Sequence, residues 1–536
     1  MVRVQTDNFD QPFDINEGTK LDLGSTAKLR TLVTYLELVA RLHQRLAPLT
    51  EAELKAVPVA SRDNITRWAV DYLMHAKNEA HRLDAMLEAA LDRKYSASPG
   101  ESFFTGGGLL TFENFDAEDN GRIVTVREGL QRSVNLLFIR LMRDIVYHTM
   151  FNMPSSSATL LDDDDDPKRK EYLARFADRE GSAFLQRFYR KYQGKTPAEA
   201  EALLLQGIRP TPRRLATIFR SLDPQASMGL FAEFLQRNLP EVEIDDSAAA
   251  RLYDEYAIER YDLADRGYIA TVHPLELWLV GYLRNHQGAT LQQALEASQN
   301  ERQNVYGWLF KTRRKGAQDS RIRQLVELEA FLEIHKMWKR LGYPFDSLVP
   351  SYATALGSSA DRPAALAELM GILVNDGIRM PTLRLDALQF AKDTPYETRF
   401  NARPLSGERV MPREVAQAAK RTLALVVEAG TAKRLRGAFT DADGKPYVMG
   451  GKTGTGDHRF ETYGKGGVLL SSRVVSRSGT FVFYVGDRHF GTLTAYVKGP
   501  DAAKYQFTSA LPTQILKTLA PQLRDEISRA PRIGTS

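Results

Sequence analysis

Three short stretches of this 536-residue chain carry side-chain combinations that chemistry uses. The first is Ser25-Thr-Ala-Lys28. On a helix, positions i and i+3 share a face, so a hydroxyl and an amine can meet there. A serine hydroxyl is a poor nucleophile until a base takes its proton. A lysine is such a base when burial and nearby positive charge lower its pKa. The second is Ser133-Val-Asn135, which follows Arg132 and precedes the apolar run LLFIRL. That places a hydroxyl and an amide at a buried helix edge, where both need partners. The third is Lys452-Thr453-Gly454-Thr455, within VMGGKTGTG. Glycine weakens a strand and marks a place where a ligand or another backbone comes close. Gly450, Gly451, Gly454 and Gly456 are expected to let an extended, peptide-like chain lie along the strand edge and take its free N–H groups. Taken singly, each pattern also arises by chance in a chain of this length. A second Ser-x-Asn, Ser298-Gln-Asn300, lies in the polar segment LEASQNERQN and reads as a solvated helix face.

The elements that must position these residues follow from periodicity. Val2 to Gln5 reads as a short strand, followed by a loop to residue 24. From Ser25 a helix is predicted, with Leu29, Leu32, Val33, Leu36, Val39 and Ala40 on one buried face. Residues 50–95 are charged and rich in Ala and Leu, hence helical. Pro99-Gly100 and Gly106-Gly107-Gly108 break the chain. Val124 to Met142 reads as one helix, buried along Leu130, Val134, Leu137, Phe138 and Leu141. The charge-blocked segment SSSATLLDDDDDPKRK reads as a solvated loop. Its consecutive acids, Asp162 to Asp166, lack the mid-loop glycine of a calcium loop. Residues 168–345 read as mostly amphipathic helix, for example Arg321 to Leu341. Strands return at Tyr447 to Thr455, Thr480 to Gly486 and Thr492 to Lys498, the last two joined as a hairpin by DRHFG. Tyr505 to Leu519 reads as a closing helix.

Composition narrows the field. With 43% hydrophobic and 26% charged residues the chain is globular and has material for a real core. A net charge of +5 without a concentrated basic patch points away from nucleic acid and fits attraction to an anionic surface. The absence of cysteine excludes disulfides, thiolate metal ligands and a cysteine nucleophile. There is no His-Glu-x-x-His, and His458 beside the third motif reads as a rim residue, so neither metal nor cofactor is expected. No run of about 18 apolar residues is present, and MVRVQTDNFD has no apolar signal region. The chain is therefore read as cytosolic, or as a piece lacking its anchor.

In the order Ser-x-x-Lys, Ser-x-Asn, Lys-Thr-Gly, the three motifs together resemble the signature set of the penicillin-binding protein and serine β-lactamase superfamily. FENFDAEDNGRIVTVREGLQRSVN resembles that family's approach to its Ser-x-Asn helix. YATALGSSADRPAALAELMGILVNDGIRMP and VVEAGTAKRL resemble the stretches ahead of its Lys-Thr-Gly strand. The resemblance covers about residues 25–160 and 345–520, and is strongest to the transpeptidase half of bifunctional class A penicillin-binding proteins, whose other half is a glycosyltransferase. The first two motifs stand further apart here than the family usually shows.

The resemblance implies an α/β (α+β) fold: an antiparallel sheet flanked by helices plus an all-helical subdomain, with a large helical insertion and a missing N-terminal strand. It divides the chain into a first transpeptidase part (1–154), the insertion (155–345) and a second transpeptidase part (346–536). It implies a D,D-transpeptidase that cross-links peptidoglycan stem peptides through a serine acyl-enzyme, with β-lactams as covalent inhibitors. Ser25 would be the nucleophile and neutral Lys28 its base. Ser133 would relay a proton to the leaving amine, and Lys452 would keep the field positive. Asn135 would bond the substrate's peptide amide. The N–H groups of Ser25 and Thr455 would form the oxyanion hole. The hydroxyls of Thr453 and Thr455, flanking Gly454, would hold the substrate's terminal carboxylate. The implied location is the periplasmic face of the inner membrane, reached through a part absent from this chain, with the insertion available to other cell-wall or division proteins. A D,D-carboxypeptidase, which uses water as acceptor, shares all three motifs. A β-lactamase needs a second base, which the sequence does not offer. An inert scaffold of cell-wall synthesis is the remaining alternative.

Overall fold

The computed structural model describes residues 14–16, 18–153, 159–310, 315–383, 387–401, 405–463 and 469–528. The strand expected at residues 2–5 lies outside them. The chain divides into two compact units, one formed by residues 1–158 with 326–536 and the other by Thr159–Leu325. Among the described residues no helix is long and apolar enough to cross a membrane.

The first unit is built around helix α1 (Ala27–Leu46), which has no glycine or proline to interrupt it. The sequence expectation was one apolar face, but every residue from Ala27 to Ala40 is buried. Apolar periodicity does not register buried polar side chains, and here those side chains are bonded, which makes their burial tolerable. Arg30 donates from Nε to Asp361 Oδ2 at 2.6 Å and from Nη2 to Oδ1 at 3.2 Å. The Thr34 hydroxyl donates to Arg30 O and accepts from Trp338 Nε1 at 2.9 Å. Glu37 takes the Arg340 guanidinium.

Next come α2 (Val126–Arg132) and α3 (Asn135–Asn152). The sequence predicted one continuous helix here. The structure breaks it at Ser133, which stands in the left-handed region with φ 62° and ψ 39°. The break is a Schellman motif: Val134 N donates to Gly129 O at 2.9 Å and Ser133 N to Leu130 O at 3.2 Å. Serine occupies the position that glycine usually takes.

Strands β1 (Met449–Tyr463), β2 (Leu469–Val485) and β3 (His489–Lys498) form an antiparallel sheet in spatial order β1-β2-β3. Alternation assigns its two faces. One face carries Gly450 opposite Tyr484, and Tyr484 reaches back to Lys420 O of helix α6 (Arg413–Glu428). Phe490, on the same face, packs on Gly371 of helix α5 (Pro363–Val374). The other face carries Gly479, which meets Thr508 just ahead of helix α7 (Ala510–Ser528). The sheet is thus covered by helices on both sides, the expected fold class.

The second unit is all-helical, with helices such as Lys168–Tyr192, Pro212–Leu222 and Pro274–Asn285. Leu185, Tyr192, Leu275 and Leu279 share one apolar core, and Phe219, Phe231 and Phe234 another. Two local expectations change. Thr159–Asp162 is a short helix inside the segment read as loop. Ser298 is buried rather than solvated, because its hydroxyl takes the Arg302 guanidinium and donates to Leu295 O. The helical segment was expected to run to residue 345, yet the compact unit ends at Leu325. Helix α4 (Lys315–Arg340) carries on past it, and Val326–Arg340 belongs with the first unit. There Trp338 and Tyr343 flank the Arg30 guanidinium.

Asp361 also bridges Leu21 through the backbone, so this one residue ties both α1 and the chain ahead of it to the start of α5. Asp361→Ala strands a buried guanidinium and is expected to cost about 3–5 kcal/mol, measured by urea unfolding. The apolar pair Arg30→Met with Asp361→Leu is expected to lose less.

Candidate active site

The turn Gly24–Thr26 presents Ser25 at the head of α1, one helical turn before Lys28. Asp22 Oδ1 accepts from Gly24 N at 2.9 Å and fixes the entry to this turn. The glycines of β1 explain how the turn seats. A Cβ on Gly454 would stand 2.1 Å from Leu23 O, and one on Gly456 would stand 2.1 Å from Asp22 O. The expectation that these glycines make room for a substrate is corrected: the protein's own backbone comes close, and it is the segment leading to Ser25. Gly450 and Gly451 likewise face α6 and β2. On the turn side, a Cβ on Gly24 would stand 2.0 Å from Thr455 O, so Ser25 is held directly against β1.

Lys28, Ser133, Asn135 and Lys452 converge in one hydrogen-bonded cluster. Lys28 Nζ donates to Ser133 O at 2.5 Å and to Asn135 Oδ1 at 2.7 Å, and lies 3.0 Å from Ser133 Oγ. Lys452 Nζ donates to Ser133 Oγ at 2.8 Å and to Thr453 O at 2.7 Å. One hydroxyl therefore touches two amines. The left-handed conformation at Ser133 permits this, because it turns both the carbonyl and the hydroxyl of that residue toward Lys28. Among the described residues the Ser25 hydroxyl has no hydrogen-bond partner. The direct hydroxyl–amine pair expected from the i,i+3 spacing is replaced by Lys28 engaging Ser133 and Asn135.

Both amines are fully buried, and among the described residues neither has a carboxylate in hydrogen-bond contact. Burial, and next the Lys452 charge, hold Lys28 well below the usual lysine range. Burial alone lowers Lys452 to about 7. With Lys28 neutral, its two N–H groups serve Ser133 O and Asn135 Oδ1. The Ser133 hydroxyl then donates to the Lys28 lone pair and accepts from Lys452.

The amide of Asn135 is oriented from its far side. Its Nδ2 donates to Glu113 O at 2.9 Å, which leaves Oδ1 to Lys28. Asn114 Oδ1 accepts from Leu136 N at 3.0 Å and satisfies one of the open donors at the start of α3. Arg132 Nε donates to Asp119 Oδ1 at 2.7 Å. The loop 113–119 is thereby fastened to both sides of the Ser133 turn. These residues fall within FENFDAEDNG, but nothing in their types or spacing singles them out. Thr453 and Thr455 lie on the sheet face opposite to Lys452. Thr453 Oγ1 pairs with Thr431 Oγ1 at 2.7 Å, and Thr455 Oγ1 accepts from Ser509 N at 3.0 Å. His458 is exposed at the rim.

No family model matches the chain, and no curated protein does. Among solved structures, the chain is similar to the D,D-transpeptidase domain of peptidoglycan glycosyltransferase from Eggerthella lenta at 12% identity and a TM-score of 0.36, over 97% of this chain and 69% of that one. It is similar to penicillin-binding protein A from M. tuberculosis, solved as a ceftriaxone acyl-enzyme complex, at 12% identity and a TM-score of 0.35, over 94% and 61%. Penicillin-binding protein 3 from the same organism aligns at 18% identity and a TM-score of 0.26, over 37% and 47%. The chain thus spans about half to two thirds of the lengths of these proteins.

The lysine pair links stability to pH with a definite sign. In the unfolded chain both amines hold protons up to the ordinary lysine range. In the folded chain burial lowers Lys452 to about 7 and holds Lys28 well below the ordinary lysine range. Between about pH 7 and 10 the unfolded state binds more protons, so stability rises with pH and is lost as pH falls through about 7. The slope approaches about 1.4 kcal/mol per pH unit for each lysine. Lys452→Met is expected to remove one lysine's share, read from urea unfolding at pH 7.5 and 9.5 in both proteins. Identical slopes would show that Lys452 keeps its proton on folding.

Proposed function

We propose that this chain is a serine D,D-transpeptidase of the penicillin-binding class, acting on peptidoglycan stem peptides in the cell envelope. The observation that carries the reading is the single hydroxyl of Ser133 bonded to two buried amines, beside a serine seated against a strand edge. Metal-free acyl transfer needs this combination: a base with a lowered pKa, a proton relay to the leaving group and a nucleophile open to solvent.

In acylation, Ser25 Oγ attacks the carbonyl carbon of the terminal D-Ala-D-Ala amide, and its proton passes to Lys28 Nζ as the Ser133 hydroxyl turns from the Lys28 lone pair toward the leaving amine. The oxyanion is met by the N–H groups of Ser25 and Thr455, whose backbones the Gly24 approach brings together. Such donors are worth roughly 3 kcal/mol each. The C–N bond then breaks. The leaving amine takes the Ser133 proton, and Ser133 regains one from Lys28. Lys452 holds the relay hydroxyl in place and disfavours charge on Lys28. In the second half, the amine of a neighbouring stem attacks the ester and the protons run in reverse. The Thr453 and Thr455 hydroxyls are assigned to the donor's terminal carboxylate, and Asn135 to its peptide amide through the remaining N–H of Nδ2.

A fluorescent penicillin is expected to label the unaltered chain, and Ser25→Ala is expected to abolish labelling. Lys28→Ala should reduce labelling at least about a hundredfold with the fold retained, as checked by circular dichroism. Near-normal acylation of that variant would remove Lys28 from the mechanism, and no labelling of the folded, unaltered chain would favour a scaffold. Asn114→Ala touches no reacting group, yet is expected to slow acylation by roughly tenfold through misorientation of Asn135. Asn114→Asp, which keeps the acceptor for Leu136 N but loses the Nδ2 donations to Ala97 O and Asn120 Oδ1, is expected to restore only part of the rate.

A further inference from the structure

The hairpin of Ser102–Thr105 and Gly108–Thr111 has only four residues to a strand. A two-stranded hairpin is marginal by itself in water and takes its place from what holds it. Thr105, at the end of its first strand, is 1% exposed. The Thr105 hydroxyl donates to Glu327 Oε1 and accepts from Tyr352 N at 3.0 Å. Glu327 is on the part of α4 that belongs with the first unit, and Tyr352 opens a 3-10 turn, Tyr352–Leu356. Both residues are buried. One hydroxyl thus joins a hairpin, a helix and a turn inside the protein.

Two of these elements lead to the active site. Two residues past the hairpin, Glu113 O accepts from Asn135 Nδ2, and Asn114 Oδ1 then accepts from Leu136 N. Phe103 and Phe112, with ring centroids 5.7 Å apart, carry the packing of the hairpin up to that point. The 3-10 turn ends at Gly357, whose φ of 113° and close approach both call for glycine: a Cβ there would stand 2.7 Å from Gly24 O. Gly24 is the residue before Ser25. The backing of the nucleophile turn and the loop that orients Asn135 are therefore joined at the Thr105 hydroxyl. The nucleophile turn is also seated on β1, so the loop is the side that this junction positions.

We propose that Thr105 is a positioning residue for acylation: its hydroxyl, held by Glu327, sets where the Asn135 loop stands relative to Ser25. It touches no reacting group and lies outside the three motifs. The proposal rests on the acyl-transfer reading above and deepens it by one residue pair.

The test follows labelling by a fluorescent penicillin over time and concentration, which separates the labelled fraction from the acylation rate constant. Thr105→Val keeps the shape of the side chain and removes the hydroxyl, so Tyr352 N and the Glu327 carboxylate lose that partner. It is expected to slow acylation about fivefold while all of the folded chain still labels. Thr105→Ser, which restores the hydroxyl, is expected to stay within about twofold of the unaltered chain. In Asn114→Ala the loop has already released the start of α3, so adding Thr105→Val is expected to cost less than about twofold more. A Thr105→Val chain that acylates at the normal rate, with only its labelled fraction reduced, shows a role in stability alone and overturns the proposal. So does a Thr105→Ser chain as slow as Thr105→Val, or a full fivefold loss on top of Asn114→Ala. Should Thr105→Val not fold, Glu327→Gln weakens the same bond by removing its charge and is expected to slow acylation about twofold, and an unchanged rate there overturns the proposal equally. The functional reading fails by a different result, the absence of covalent labelling at Ser25 in the unaltered chain.

Discussion

Two buried amines that share one hydroxyl oppose each other's charge. At an effective dielectric of 20, two unit charges 4–5 Å apart repel by roughly 3–4 kcal/mol, and burial disfavours each charge separately. The left-handed serine between them costs about 1–2 kcal/mol in backbone strain. The electrostatic term is the larger, so protonation state governs the behaviour of this site more than conformational strain does. The surrounding structure keeps Ser133 Oγ at 2.8 and 3.0 Å from the two nitrogens. The Schellman turn orients it, the loop at 113–119 fixes the residues on either side, and α1 and β1 bring the two lysines in.

The glycines of β1 show how a strand can be weakened locally in exchange for closer approach. A side chain at 454 or 456 would push away the backbone of Leu23 or Asp22. The same strand is continuous over fifteen residues and fully paired with β2 through that region, so the loss of side-chain packing there is supported by the ladder. Seating the turn this way brings the backbone of Gly24 against that of Thr455, which a side-chain contact would not achieve.

The sequence made the site legible at the level of types: Ser25, Lys28, Ser133, Asn135 and Lys452 are identifiable from three short patterns, and four of them prove to be mutually bonded. The existence of the sheet, its hairpin and the closing helix follows from β-branched alternation and periodicity, but β1 runs on to Tyr463, β2 starts at Leu469 and not Thr480, and the helix spans Ala510–Ser528 where Tyr505 to Leu519 was expected. What stayed hidden has a common cause, since each case depends on a partner remote in the chain. The all-round burial of α1 depends on Asp361 accepting from Arg30 and on Trp338 and Arg340 donating to Thr34 and Glu37. The break at Ser133 is invisible because serine there is read as an ordinary helix residue. The role of Asn114 depends on a helix start beyond twenty positions away. Ser298 looked solvated because its neighbours are polar, whereas the Arg302 guanidinium covers it.

Helix α4 gives the chain a seam in an uncommon place. The boundary between the compact units falls between Leu325 and Val326, within a continuous helix and not in a loop. Excising 159–325 would therefore cut a helix in two. The remaining half, which supplies Trp338 and Arg340 to α1 and Glu327 to the Thr105 hydroxyl, would begin with amide donors stripped of their acceptors. Any transplant or removal of the helical unit has to bring its own terminator, an Asp or Ser ahead of Val326, if the half-helix is to stay wound.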